Sequence, residues 1–138
     1  MTTPDLALRL DLEQHPEGGW FRRTWTSSAT VTLADGRVRR TASMIWFLLP
    51  AGESSRWHRV ASDEMWLAHQ GTVRIELAGS DAAPGDITRH IVSAEDPATA
   101  QFLVPAGVWQ RTLPSEEDAL VRCVVSPEFS FEDFEMVE

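Results

Sequence analysis

Lysine, tyrosine and asparagine are all missing from this chain, and cysteine occurs once. The twelve basic residues are all arginine. Without lysine there is no Schiff-base chemistry and no phosphate-loop lysine. Without tyrosine there is no phenolic acid or base. The single Cys123 excludes an intrachain disulfide and carries no sign of an oxidising compartment. No apolar run approaches the ~20 residues of a membrane-spanning helix, and the N-terminus lacks the basic, apolar and small-residue order of a secretion signal. Positive charge is scarce too: 12 bases face 21 acids, for a net −9. That balance weighs against a nucleic-acid groove or an anionic membrane surface as partner. With 43% hydrophobic residues in 138, the expectation is one cytoplasmic domain with a real core.

What is present reads as β-structure. Thr2-Thr3-Pro4 offers a hydroxyl cap ahead of a proline, and Leu6 and Leu10 share a helical face, so a short helix is expected over about Pro4–Glu13. Pro16 and Gly18-Gly19 should end it. Strands are expected at Trp20–Thr26, Thr30–Leu33, Val38–Leu49, Glu64–His69, Thr72–Leu77, Ile87–Val92, Gln101–Val104 and Ala119–Ser126, with Gly and Pro punctuation between them. Asp35-Gly36 predicts a hairpin with a type I′ turn. Met44–Leu49 has no polar alternation, so both of its faces should be dry, the second against another sheet, a partner subunit or the N-terminal helix. A homodimer is the favoured expectation. From Glu128 onward the chain interleaves acids with Phe129, Phe131 and Phe134, which fits a last strand laid on the body.

The residues able to do acid–base or metal chemistry are few. His58 and Glu64 lie in the densest polar run, Gly52 to Gly71, and Gln110 follows the Pro105-Ala106-Gly107 turn. At these positions the sequence resembles the cupin superfamily of small jelly-roll barrels. Gly52, His58, Glu64 and Gly71 stand at the intervals of the first cupin motif, with Val60 in place of its second histidine. Pro105 and Gly107 match the second motif, with Gln110 in place of its histidine. A narrower resemblance spans nearly the whole chain: His15-Pro16-Glu17-Gly18-Gly19-Trp20-Phe21, Ile45 to Leu49, Trp57-His58, Ser62 to Trp66, Val104 to Gln110 and Ser126 onward look like the cupin-5 (DUF985) family. Family members usually carry Gly at the position of Glu128 and a Leu-Gly pair near Ile91 to Ser93. The resemblance implies an all-β cupin jelly roll with a short N-terminal helix, residues 1–19 leading into a barrel over residues 20–138. It also implies a dimer with one pocket per barrel, but no particular reaction.

For that pocket the sequence predicts His58 and Glu64 as an acid–base pair, with Gln110 polarising a substrate carbonyl. Trp66 shares strand parity with Glu64, and with Trp109, Trp46 and Arg56 it is expected to contact substrate. His69 has the opposite parity and should point away. His15 reads as a loop-fixing residue, His90 as an exposed one, and Cys123 as an inert buried thiol. Arg22, Arg23, Arg37, Arg39 and Arg40 read as a solvated face, or as a site for an anionic substrate. The favoured function is an isomerase, epimerase, cyclase or lyase acting on a polar carbonyl compound, not a dioxygenase. Two alternatives stand beside it. One is a non-catalytic small-ligand-binding cupin; the other is an enzyme holding a single divalent metal on His58, Glu64 and Gln110.

Overall fold

The computed structural model of the chain describes residues 2–137. One helix, α1 (Asp5–Arg9), precedes thirteen strands: β1 (Glu13–Gln14), β2 (Trp20–Thr26), β3 (Thr30–Thr32), β4 (Val38–Arg40), β5 (Ser43–Leu49), β6 (His58–Val60), β7 (Asp63–Gln70), β8 (Thr72–Leu77), β9 (Thr88–Ser93), β10 (Gln101–Val104), β11 (Gln110–Leu113), β12 (Ala119–Ser126) and β13 (Phe134–Met136). One sheet has the order β1-β2-β5-β12-β7-β10 and a second the order β13-β6-β11-β8-β9, while β3 and β4 form a separate hairpin. All pairings are antiparallel. The result is an all-β jelly roll, in which two curved sheets bury alternate residues against one another. No helix among the described residues is long and apolar enough to cross a membrane.

The main core lies between the sheets. Phe47, Leu49, Trp66, Val73, Ile75, Val92, Val104, Val121 and Cys123 are buried there. Strand β5 is dry on both faces only over Phe47–Leu49, so the expectation from its composition holds for that half of the strand. Phe47 and Leu49 point into that core, while Leu48 packs outward against Ala7, Leu12, Trp20 and Leu120. The N-terminal segment therefore covers the back of Leu48. Met44 and Trp46 on the same strand are half-buried.

Several local expectations change. The helix is only one turn and a half, because Asp11 takes a left-handed φ of +57° and turns the chain before Leu12. Its N-cap is Pro4, with no side-chain cap, so the expected threonine hydroxyl makes no such bond. Glu13–Gln14 already pairs with β2, so the barrel begins before residue 20. The Asp35-Gly36 hairpin forms through a wider loop: Gly36 N–H donates to Leu33 O and Leu33 N–H to Arg37 O. Only Gly36 has a positive φ there, so the turn is not type I′. Val38–Leu49 divides into β4 and β5, and the short strands β6 and β11 had no expected counterpart.

The acidic end of the chain does fold back on the body, held by the arginines. Arg23 pairs with Glu128, Arg37 and Arg39 with Asp133, and Arg59 with Glu135. Strand β13 then adds to β6, with Met136 opposite His58. These arginines are thus counter-charges for the chain's own C-terminal acids.

Candidate functional site

Four parts of the chain meet at one cavity of about 280 Å³. The six-stranded sheet supplies Phe21, Phe47, Glu64, Trp66 and Cys123; the other sheet supplies His58 and Val60; the Glu13–Glu17 segment supplies His15 and Glu17. Phe129 and Phe131, from the folded-back C-terminal segment, close one side. Strand parity puts Glu64 and Trp66 inward, while His69 on the same strand stacks edge-on against Trp46 outside.

The polar centre of the cavity is a buried ion pair not expected from the motifs. His58 Nε2 lies 2.8 Å from Glu17 Oε2. The other ring nitrogen, Nδ1, donates to the Arg56 carbonyl at 2.6 Å, which fixes the tautomer and leaves Nε2 facing the carboxylate. Glu17 reaches this place because its loop is closed tightly. His15 N–H donates to Gly19 O, Gly18 N–H to His15 O, and Arg56 N–H to Glu17 O. Gly18 and Gly19 have φ of +110° and +79°. A β-carbon at Gly19 would lie 2.6 Å from the Phe47 ring, so both glycines are required by backbone shape and by space.

Glu64 has different surroundings. Its Oε1 accepts from Gln110 Nε2 at 2.8 Å, a bond joining the two sheets, and the Cys123 thiol lies beside the carboxyl. Among the described residues no arginine pairs with it. The two carboxyl groups are consequently driven apart. For Glu17, burial opposes the charge, but the field and hydrogen bond of His58 outweigh burial and hold its pKa below the ordinary 4.5. For Glu64, burial and the Glu17 charge raise the pKa, and His58, Gln110 and Cys123 offset this only in part. His58 is likewise penalised by burial, yet Glu17 and the Arg56 carbonyl carry its pKa above 6.5. His15 is lowered, chiefly by burial. Burial also pushes the Cys123 thiol well above its ordinary range.

The expected site residues separate on this geometry. His58, Glu64 and Trp66 line the cavity, but His58 pairs with Glu17 rather than with Glu64. Gln110 is not part of the lining; one N–H of its amide goes to Glu64 and its Oε1 is buried without a partner. Trp109 turns away, donating Nε1–H to Asp81 O under the Arg59 guanidinium. Trp46 lies outside against His69 and Arg122. The Arg56 side chain borders shallow depressions elsewhere, and only its backbone holds the ion pair. Glu17 was not anticipated; the sequence cue for it is an acid set between Pro16 and a glycine pair. His15 also faces the cavity, ringed by Phe21, Phe131 and Phe134. His90 is half-buried against Phe102.

The same geometry tests a cupin metal. Both nitrogens of His58 are engaged, Val60 has no donor, and Gln110 turns its N–H toward Glu64. Among the described residues no group of three or more His, Cys, Asp or Glu side chains is placed to hold a metal ion. The residues therefore do not fit the three-histidine, one-glutamate set, nor the reduced set of His58, Glu64 and Gln110.

A jelly roll with its polar cluster inside the barrel, at these motif positions, defines a cupin. The profile described as "Cupin superfamily (DUF985)" matches residues 5–137, and the chain belongs to that family. Among solved structures, it is 34% identical to a protein from Shewanella oneidensis, covering 100% of this chain and 85% of that one at a TM-score of 0.84. A hypothetical protein from Leishmania major is 28% identical over 99% of this chain and 88% of its own, at a TM-score of 0.85. Oxalate decarboxylase from Bacillus subtilis is 18% identical, covering 93% of this chain and 31% of its own at a TM-score of 0.66, a likeness of fold alone. No curated protein matches the chain.

Proposed function

We propose that this cupin is a proton-transfer enzyme of the isomerase, epimerase, cyclase or lyase type, acting on a small carbonyl compound in the cavity. The observation that carries the reading is the Glu17–His58 ion pair at 2.8 Å in the same cavity as Glu64, which lacks a cationic partner of its own. Two carboxyl groups with pKa values pushed in opposite directions divide the labour of acid and base. Glu17, held ionised by His58, takes the proton next to the carbonyl. Glu64, whose pKa burial and the Glu17 charge raise, is the acid: in its protonated form it gives its proton to the developing enolate or to a second carbon. Each turnover leaves Glu17 protonated and Glu64 ionised, and solvent exchange resets both. His58 acts as a positioning residue that keeps Glu17 charged; Gln110 and Cys123 hold the Glu64 carboxyl in place.

The test is deuterium uptake from heavy water into a panel of small ketones and lactones, followed by proton NMR. Glu17→Gln and Glu64→Gln should each slow uptake by about 10²–10⁴-fold, the usual worth of a positioned acid or base, while the fold persists. Wild-type rates in both variants, or no uptake by the wild type above buffer, would overturn the proposal.

A further inference from the structure

The cavity holds two nitrogen donors that this scheme leaves unused. His15 Nδ1 accepts the Glu17 backbone N–H at 3.2 Å, so the ring proton sits on Nε2. No acceptor among the described residues meets that Nε2–H. Burial also lowers the His15 pKa, so the ring stays a neutral donor near neutral pH. On the same lining, Trp66 is 2% exposed, and its indole Nε1–H is buried without a partner. Buried donors are nearly always satisfied, so an orphaned one on a residue that lines a cavity points to an acceptor atom from elsewhere. The His15 and Trp66 rings both stand edge-on to Phe47, at 6.2 and 5.8 Å.

Charge and shape narrow the acceptor's owner. Both formal cations on the lining are matched: His58 by Glu17, and Arg23 by Glu128. Glu13 and Glu64 add further acidic groups to the lining. An incoming carboxylate or phosphate would find no free counter-charge and would lose its hydration. The walls are aromatic, with Phe21, Phe47, Trp66, Phe129 and Phe131, which suits a flat apolar body. A volume of about 280 Å³ lies at the small end of ligand pockets.

We infer that the site takes an uncharged, single-ring carbonyl compound, a cyclic or aryl ketone or a lactone, whose oxygen is met by the free N–H donors of Trp66 and His15. This rests on the proton-transfer reading for its carbonyl but is tested without turnover. Acetophenone, ethylbenzene and benzoate are probes of equal girth that differ in oxygen and charge. Each would be titrated into 15N-labelled full-length protein at pH 7, reading the Trp66 indole and His15 imidazole resonances assigned by through-bond experiments on the wild type. Acetophenone should move both resonances. Ethylbenzene should bind at least 10-fold more weakly, and benzoate should leave both unmoved. Equal binding of ethylbenzene, preference for benzoate, or no response of the two N–H groups to acetophenone would overturn the inference. Acetophenone binding without deuterium uptake would sink the proton-transfer reading and leave this one standing. Uptake restricted to carboxylates would do the reverse.

Discussion

Replacing Glu17 by glutamine removes one charge from the buried pair while keeping its shape, and the consequences follow from the contacts of His58. In the wild type the imidazolium is held between the Arg56 carbonyl at 2.6 Å and Glu17 at 2.8 Å. With the carboxylate gone, burial is opposed only by the Arg56 carbonyl and the Glu64 charge, and the His58 pKa falls from its wild-type position. The neutral ring then presents a lone pair on Nε2, to which the new amide can donate. Removing one partner of a buried pair costs about 3–5 kcal/mol when the other stays charged. Linkage makes that cost depend on pH. The raised His58 pKa contributes stability that is fully present below pH 6.5 and is lost as pH rises through the folded value. Glu17→Gln should therefore destabilise the protein by about 3 kcal/mol at pH 6, with the penalty shrinking as pH rises from 6.5 through the folded pKa of His58 and levelling off above it. Urea unfolding across pH 5.5–9.5, paired with NMR titration of His58, measures both quantities. A penalty independent of pH, or a His58 pKa in the variant as high as in the wild type, would refute the argument.

Gly19→Ala should cost about 2–4 kcal/mol, because it combines a left-handed φ of +79° with a clash on the Phe47 ring; an unfolding midpoint close to wild type would contradict the tight loop. Glu64→Gln should make the protein more stable than wild type at pH 8 relative to pH 5. The raised Glu64 pKa means its favourable contribution is present below 4.5 and lost as pH rises through the folded value, and melting curves at the two pH values read the difference. On the acid side, the depressed Glu17 pKa contributes stability present above 4.5 and lost as pH falls through the folded value. The acid limb of the melting profile should accordingly flatten in Glu17→Gln.

The jelly roll was legible because turn residues and dry strands are written locally, and His58 and Glu64 because fixed spacing within one motif sets their register. Strands β6 and β11 escaped notice because three or four residues carry little periodicity of their own. The side of the sheet on which Trp46 lies is not legible, because β5 is apolar throughout and its sequence does not say which parity faces inward; pairing with β12 and β2 decides that. Trp109 precedes β11, and the chain's approach to Asp81 turns the indole outward. Glu17 is the instructive case. Nothing in its own neighbourhood states that it meets His58. The loop that carries it docks through the Arg56 backbone, and contacts so distant along the chain leave no periodic trace. The arginines on β2 and β4 found their partners in the C-terminal acids, a complementarity visible in composition but not assignable pair by pair.

The folded-back C-terminal segment has one more consequence. Phe129 and Phe131 wall the cavity, and the Arg23–Glu128 bond joins residues 105 positions apart. While the chain is being made, the pocket floor would emerge from the ribosome long before its last wall. The cavity is thus enclosed only once the Glu128–Phe134 segment has docked on the barrel.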